Sequence, residues 1–170
     1  MIFYLVTPLI LIFSSSLGLL IDPAWSISPF VWVFVLVPII DLVLPHLSKQ
    51  DTDLKENLFH NFSILIVLPC ILFLILFGLI VVSGPSITLL TAAALGAAVG
   101  MSGGSIGITT AHELIHRQNK YMRGIGILLL IVCCYGHFRI EHIYGHHRNV
   151  ATKEDPATAR RGENFYFYFI

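Results

Sequence analysis

Charged residues are scarce in this chain, and their scarcity narrows the class of protein. Asp, Glu, Lys and Arg make up only 12% of the 170 residues, whereas 56% are hydrophobic, a balance far from that of a water-soluble domain. Residues 1–21 and 57–111 contain none of the four charged residue types. Because the formal net charge is zero, general attraction to a nucleic acid is not expected either.

Cysteine is also rare, which excludes a disulfide-stabilised scaffold. The three cysteines, Cys70, Cys133 and Cys134, all lie in apolar runs and form no CxxC pair, so we interpret them as small packing residues. The chain has no internal repeat and no low-complexity linker. We therefore interpret residues 1–170 as one domain.

The apolar runs are long enough to cross a bilayer, which takes about 20 residues. The sequence predicts an all-α, polytopic membrane helix bundle with four transmembrane helices, at about 2–21, 29–46, 59–82 and 86–111. Lys and Arg occur only in the 47–57 loop and after His112. The positive-inside rule then predicts that the N-terminus, this loop and the region after the fourth span are cytoplasmic.

A fifth apolar stretch, at 121–140, lies between two groups of histidines. If it crossed the bilayer, it would hold those histidines about 30 Å apart, on opposite sides of the membrane. The arginines that follow it also favour the side on which it begins. We therefore expect a buried, interfacial or re-entrant helix that does not cross.

The two histidine groups carry the chemistry. "HELIH" places His112 and His116 four residues apart, on one face of a helix. "HIYGHH" repeats that spacing with His142 and His146, and His147 is expected about 100° further round an α-helix. We call these the first box (112–116) and the second box (142–147).

Five imidazoles point to a pair of metal ions. HExxH by itself also occurs in zinc proteases, where the Glu is a general base, but a catalytic zinc needs only about three protein ligands. A second cluster therefore indicates two metals, and imidazole-rich sites suit iron, copper, zinc or nickel. A histidine that binds a metal usually donates its other N–H to an acceptor; the candidates are Glu113, Glu141, Asp155 and His137.

Two further patterns yield predictions. Asp155 followed by Pro156 is typical of a helix start, which predicts a helix from residue 156. Gly96, Gly100 and Gly104 recur every four residues on a row that continues to His112. Such a row of small residues either lets membrane helices pack closely or leaves room for a hydrophobic substrate above the metal.

The motifs "HELIHR" (112–117) and "HFRIEHIYGHHRNVATKEDPATARRGENFY" (137–166) resemble the membrane-bound, non-haem di-iron alkane monooxygenases, which belong to the wider fatty-acid-desaturase-like group. The resemblance is close from residue 111 to 166 and looser upstream. The HxxxHH spacing fits alkane hydroxylases better than the HxxHH common in desaturases. Lys153 departs from the family pattern, which usually has proline there.

The resemblance implies a site and an activity. His112, His116, His142, His146 and His147 would bind two iron ions in an inner-membrane enzyme. The enzyme would insert one oxygen atom from O₂ into a terminal C–H bond of a medium-chain alkane or similar hydrophobic molecule. Rubredoxin or ferredoxin, with its reductase, would supply electrons. The family pattern continues to a third box, HxxHH, so we expect residues 1–170 to be the N-terminal part of a longer enzyme and to lack a complete site.

Other interpretations stay open. A fatty-acid desaturase or an aryl-methyl (xylene-type) monooxygenase would share the metal chemistry, and its product would distinguish it. An intramembrane zinc metalloprotease is a more remote alternative, which metal content would distinguish. A non-catalytic metal carrier is the third class.

Overall fold

Helices form all the regular secondary structure in residues 2–43 and 58–168, the parts of the chain that the computed structural model describes. In chain order they are α1 (Ile2–Leu20), α2 (Pro23–Val43), α3 (Leu58–Leu65 and Val67–Val82), α4 (Leu89–Ile115), α5 (Lys120–Val132), α6 (138–149) and α7 (Phe165–Tyr168). The predicted all-α class is confirmed. The 47–57 loop and the end of the span predicted at 29–46 lie outside the described residues.

Three helices are long and apolar enough to cross a membrane: α2, the Asn61–Val82 part of α3, and α4. The first predicted span, 2–21, coincides with α1, of which Pro8–Leu20 is a shorter apolar helix. Large apolar side chains such as Leu42, Ile80 and Leu89 remain exposed on the outer surface of the bundle. An exposed apolar surface of this kind suits lipid, and the chain is a membrane protein.

The second membrane helix begins earlier than the sequence analysis predicted. The predicted spans 2–21 and 29–46 leave residues 22–28 between them, but a 3₁₀ turn at Pro23–Ile27 leads directly into the helix. The Asp22 side chain accepts a hydrogen bond from the Ala24 N–H at 2.8 Å, and Pro23 occupies the first helical position. An N-cap carboxylate followed by proline is a favourable helix start, which explains the difference.

The core lies where α1 packs between α3 and α4. Leu11, Ile71, Leu74 and Leu95 are almost completely buried there. A buried hydroxyl pair ties α1 to α4: Ser15 Oγ donates to the Ala98 carbonyl at 3.0 Å, and the Ser15 and Ser102 hydroxyls lie 2.7 Å apart. Because lipid cannot drive helices together hydrophobically, such interhelical hydrogen bonds help fix the pairing.

A tight hairpin joins α4 to α5 directly after the first box. Asn119 caps α5, since its side chain accepts hydrogen bonds from the Tyr121 and Met122 N–H groups. The two helices touch at Gly126, which is buried. A Cβ built there would lie 2.7 Å from Leu114 Cβ and 3.1 Å from the Ala111 carbonyl oxygen. Only glycine allows this approach, so α5 is held against the helical turn that carries the first box.

The chain reverses direction after α5. Cys134 adopts a left-handed conformation with φ of 57°. The Tyr135 N–H donates to the Leu130 carbonyl at 2.8 Å and the Cys134 N–H to the Ile131 carbonyl at 2.9 Å, the pattern of a Schellman C-cap. The chain then returns through α6 to the end of α4. The two boxes therefore meet, as expected for a helix that does not cross the bilayer, and the non-crossing itself stays a prediction.

Candidate metal centre

The end of α4 supplies the first two imidazoles of the site. α4 runs on through the first box to Ile115, whereas the sequence analysis ended that span at residue 111. Ala111, Leu114 and Ile115 are buried against α5. The opposite side of the same turn therefore presents His112 and His116, whose ring centroids lie 5.0 Å apart.

Four histidines from the two boxes converge at one point. His142 lies at the centre, with its Nε2 2.7 Å from Nε2 of His112, 3.1 Å from Nε2 of His116 and 2.9 Å from Nε2 of His147. One ring nitrogen from each of the four lies within 4.8 Å of all the others. The end of α4 and the middle of α6, which are 26 or more residues apart in sequence, thus form one cluster.

The second box does not have the α-helical geometry that its spacing predicted. Residues Glu141–His146 form a π-helical turn, in which hydrogen bonds join residues five apart. His142 and His147, five residues apart, therefore bring their Nε2 atoms together, and the Nε2-centred cluster contains His147 and not His146. The α-helical conformation predicted for this turn is wrong, but His142 and His146 still lie side by side, with their rings stacked.

His146 borders the cluster and is hydrogen-bonded to a carboxylate. Its Nδ1 donates to Asp155 Oδ2 at 2.8 Å, while its ring stacks on His142 at a centroid distance of 5.5 Å. Asp155 is only 3% exposed. It also accepts from the Ala157 N–H at 3.0 Å and from the Thr158 hydroxyl. Because these two groups and His146 favour the ionised form, the pKa of Asp155 is lowered, with the Thr158 hydrogen bond the main cause.

The helix predicted to begin at residue 156 is absent, and the interactions of Asp155 explain why. Residues 151–162 form a series of turns. Asp155 does bind the Ala157 N–H, as an N-cap would. Its other oxygen, however, is occupied by His146 and by the Thr158 side chain. The Asp155 carboxylate therefore connects the loop to His146 and does not cap a helix.

The contacts observed for the other candidates lie outside the cluster. Glu113 accepts from the Arg117 guanidinium at 2.6 Å. Glu141 lies 3.9 Å from the ring of His137, and both are largely exposed. His137 packs edge-on against Tyr135. Of the four candidates, Asp155 alone is hydrogen-bonded to a box histidine among the bonds observed in residues 2–43 and 58–168.

The glycine row faces outward along α4. A Cβ built at Gly96, Gly100 or Gly104 would meet nothing within 4 Å among the described residues. The close packing falls instead on Gly107, where a Cβ would lie 2.6 Å from the Cys133 sulfur. Gly96 borders an apolar groove of about 170 Å³ between α1, α3 and α4. The row thus leaves open space beside α4, and the packing contacts are one helical face away.

Two side chains that contact the candidate site were not predicted from the sequence. Phe138 stacks on His142, with ring centroids 4.8 Å apart and planes 18° apart, and so covers one face of the central imidazole. Its spacing, four residues before His142, was available as a signal. Thr158 was also missed; a Thr three residues after an Asp is a common turn pattern, but nothing in the sequence tied that turn to His146.

Burial, together with the neighbouring histidines, favours the neutral form of His142 and His116. The pKa of His142 is lowered to about 4, mainly because burial disfavours the charged ring and also because four other histidines surround it. The pKa of His116 is lowered by burial and by the charges that His112 and His147 can carry. A neutral imidazole keeps a lone pair, which is the form that binds a metal.

The geometry fits a metal ion. Metal–nitrogen bonds of about 2.1 Å at right angles place neighbouring ligand nitrogens about 3 Å apart, close to the 2.7, 2.9 and 3.1 Å observed around His142. Within residues 2–43 and 58–168, no acidic ligand atom joins the four nitrogens in the cluster. An all-imidazole donor set favours a transition metal over magnesium or calcium.

A membrane helix bundle that gathers imidazoles at one end is the architecture of a membrane-bound metalloprotein. The chain belongs to the fatty acid desaturase family, whose model matches residues 85–170. That range begins at the turn before α4 and contains both boxes.

Similar proteins are alkane monooxygenases. The chain is 32% identical to alkane 1-monooxygenase 2 of Pseudomonas aeruginosa over 90% of its own length, and 30% identical to alkane 1-monooxygenase of Acinetobacter baylyi over 79%. A shorter match, 61 residues at 51% identity, joins it to alkane 1-monooxygenase of Pseudomonas putida. The chain spans 42% and 34% of the first two relatives, less than half of their length.

Proposed function

We propose that this chain contributes to an alkane 1-monooxygenase, which hydroxylates the terminal C–H bond of a hydrophobic chain with O₂. The observation that carries the proposal is the convergence of four imidazole nitrogens within 4.8 Å at one end of an apolar helix bundle. The similarity of the chain to three alkane 1-monooxygenases supports the same proposal. The HxxxHH spacing of the second box favours a hydroxylase over a desaturase.

The metal centre would contain two iron ions. His112, His116, His142 and His147 would hold iron at the cluster, and His146 would contribute from its border. Iron bound there would supply the oxidising power that a terminal C–H bond requires. The chain's own residues prepare the site: neutral imidazoles offer lone pairs, Asp155 orients His146, and Phe138 shields one face of His142.

The substrate would reach the site from the lipid. A medium-chain alkane partitions into the bilayer, and the open side of α4 at Gly96, Gly100 and Gly104 offers space for an extended alkyl chain. That row leads along α4 toward His112. The apolar groove beside Gly96 lies on the same helix. We propose these glycines as lining of the substrate channel.

We also propose an electron donor and an orientation of the chain in the membrane. Rubredoxin or ferredoxin, with its reductase, would deliver electrons from the cytoplasm. The distribution of Lys and Arg supports an inner-membrane enzyme with the N-terminus and both boxes on the cytoplasmic side. Single cysteines introduced at Arg117 and Arg148 test the orientation. Both should react with a membrane-impermeant reagent in inverted vesicles only, and labelling of either one in intact cells would contradict it.

The test of function uses protein expressed from the complete gene. Purified protein should bind two irons per chain and convert octane to 1-octanol when given O₂, the electron-transfer proteins and NADH. His142→Ala should abolish both, because His142 contacts every other histidine of the cluster. His137→Ala is the matched control: it lies in the same segment but outside the cluster, and should retain iron and activity.

Product and metal analysis separate the alternatives. An alkene product would indicate a desaturase, and hydroxylation of xylene in preference to octane would indicate an aryl-methyl monooxygenase. One zinc per chain, with peptide hydrolysis, would indicate a metalloprotease. The Arg117 contact opposes that last alternative, because it occupies the carboxylate of Glu113 that would serve as general base.

A further inference from the structure

A single hydroxyl connects the loop after the second box to His146. Thr158 Oγ1 accepts a hydrogen bond from the Ala151 N–H at 3.1 Å and donates to Asp155 Oδ2. The same carboxylate oxygen accepts from His146 Nδ1 at 2.8 Å. Ala151 holds a left-handed conformation, with φ of 65°. The hydroxyl therefore closes a loop of strained backbone directly behind the metal centre.

The direction of every hydrogen bond in this chain of contacts is fixed. A backbone N–H can only donate, so Thr158 must accept from Ala151, and its one proton is left for Asp155. An ionised carboxylate can only accept, so the proton between Asp155 and His146 must reside on Nδ1 of the imidazole. Nε2 of His146 then carries the lone pair. The alternative tautomer would put two acceptors face to face.

We infer that Thr158 is a positioning residue for the metal centre: through Asp155 it holds His146 in the tautomer whose Nε2 can bind a metal. The inference rests on the proposed metal-binding role of His146. It goes beyond that proposal because the hydrogen bonds of the Thr158 hydroxyl go to Asp155 and Ala151 and reach His146 only through the carboxylate. Without the hydroxyl, Asp155 keeps only the Ala157 N–H and His146 as partners and can rotate away from the orientation that serves His146.

The first test compares two variants of similar size. Thr158→Val keeps the shape and removes the hydroxyl, whereas Thr158→Ser keeps the hydroxyl. Cobalt(II) is the probe, because its visible spectrum reports imidazole ligation and its affinity can be titrated without turnover. Thr158→Val should weaken cobalt binding by about 10-fold, as expected for the loss of a group that supports a ligand. Thr158→Ser should restore it. Equal affinity of Thr158→Val and the unmodified protein would overturn the inference.

A double-mutant cycle separates this inference from the function on which it rests. If Thr158 acts through His146, adding Thr158→Val to His146→Ala should cause no further loss of cobalt affinity. A further 10-fold loss would show that Thr158 acts by another route. If His146→Ala alone leaves affinity unchanged, the metal-binding role of His146 is wrong, and the inference fails with it while the other four histidines stand.

A spectroscopic measurement reads the tautomer itself. In metal-free protein with ¹⁵N-labelled histidine, His146 should give the signature of a protonated Nδ1, and Thr158→Val should shift it toward the Nε2-protonated form. An unchanged tautomer in Thr158→Val would refute the positioning role. Thr158→Ala removes the same hydroxyl with less bulk and replaces the valine variant if that one does not fold.

Discussion

Gly126→Ala should push α5 away from the helical turn that holds the first box. The new Cβ would lie 2.7 Å from Leu114 Cβ and 3.1 Å from the Ala111 carbonyl oxygen, whereas non-bonded carbons prefer about 3.5–4.0 Å. The helices must therefore separate by roughly 1 Å. Overpacking of this kind costs about 1–3 kcal/mol. The higher helix propensity of alanine offsets up to about 1 kcal/mol of this loss of stability.

Gly124→Ala is the matched control. Gly124 lies two residues earlier on α5, is exposed, and has nothing within 4 Å of a built Cβ. It gains helix propensity without a clash, so the two variants should differ by about 1–3 kcal/mol. Thermal midpoints in detergent measure the difference in stability, and cobalt titration measures the site.

The metal site should respond as well as the fold. Ala111 and Leu114 flank His112, so a shift of the helix backbone moves that imidazole relative to His142. We expect weaker cobalt binding in Gly126→Ala and unchanged binding in Gly124→Ala. If Gly126→Ala melts at the same temperature as the control and binds cobalt equally well, the close approach of α4 and α5 does not set the geometry of the centre.

Three further predictions follow from other parts of the chain. Ser15→Ala should cost about 0.5–1.5 kcal/mol, because it removes the hydrogen bonds between α1 and α4; Ser14→Ala, whose hydroxyl bonds within its own helix, should cost less in the same denaturation assay, and equal losses would contradict the assignment. Cys134→Gly should raise the thermal midpoint, with a gain of up to about 1 kcal/mol from relieving the left-handed conformation; a lower midpoint would count against strain there. Metal-free protein should lose stability as the pH falls from about 6.5 toward 4, because the fold lowers the pKa of His142 and His116 whereas the unfolded chain protonates these imidazoles in that range. Thermal melting between pH 7 and 4.5 measures the effect. His142→Gln should flatten the pH dependence, and a pH-independent midpoint would refute the prediction.

The sequence predicted the helices well because their signals are local. Charge-free runs identify membrane helices by composition alone, and α1, α3 and α4 begin or end within a few residues of the predictions. The meeting of the boxes was also predictable, because two histidine groups on opposite sides of a bilayer could not have shared a site. The start of α2 was missed because Asp22 and Pro23 were interpreted as loop residues and not as a cap.

The details of the site depended on contacts that the sequence does not display. The spacing of His142, His146 and His147 fits more than one helical pitch, and the α-helical choice was wrong. Asp155 has the same local signature whether it caps a helix or binds a distant imidazole. Its partner, Thr158, closes a loop only when that loop folds back on His146. Tertiary contacts, not local propensity, decided these cases.

The π-helical turn at Glu141–His146 also changes how single-residue insertions in this region should be understood. In an α-helix, histidines spaced HxxHH place the first and last imidazoles four residues apart on one face. One extra residue would rotate the last imidazole away by about 100°, unless the helix widens locally to absorb it, as it does here between His142 and His147. Deleting Gly145 should therefore convert the turn to an α-helical one and keep those two imidazoles together. HxxxHH and HxxHH would then be two lengths of the same ligand arrangement, interconvertible by one codon.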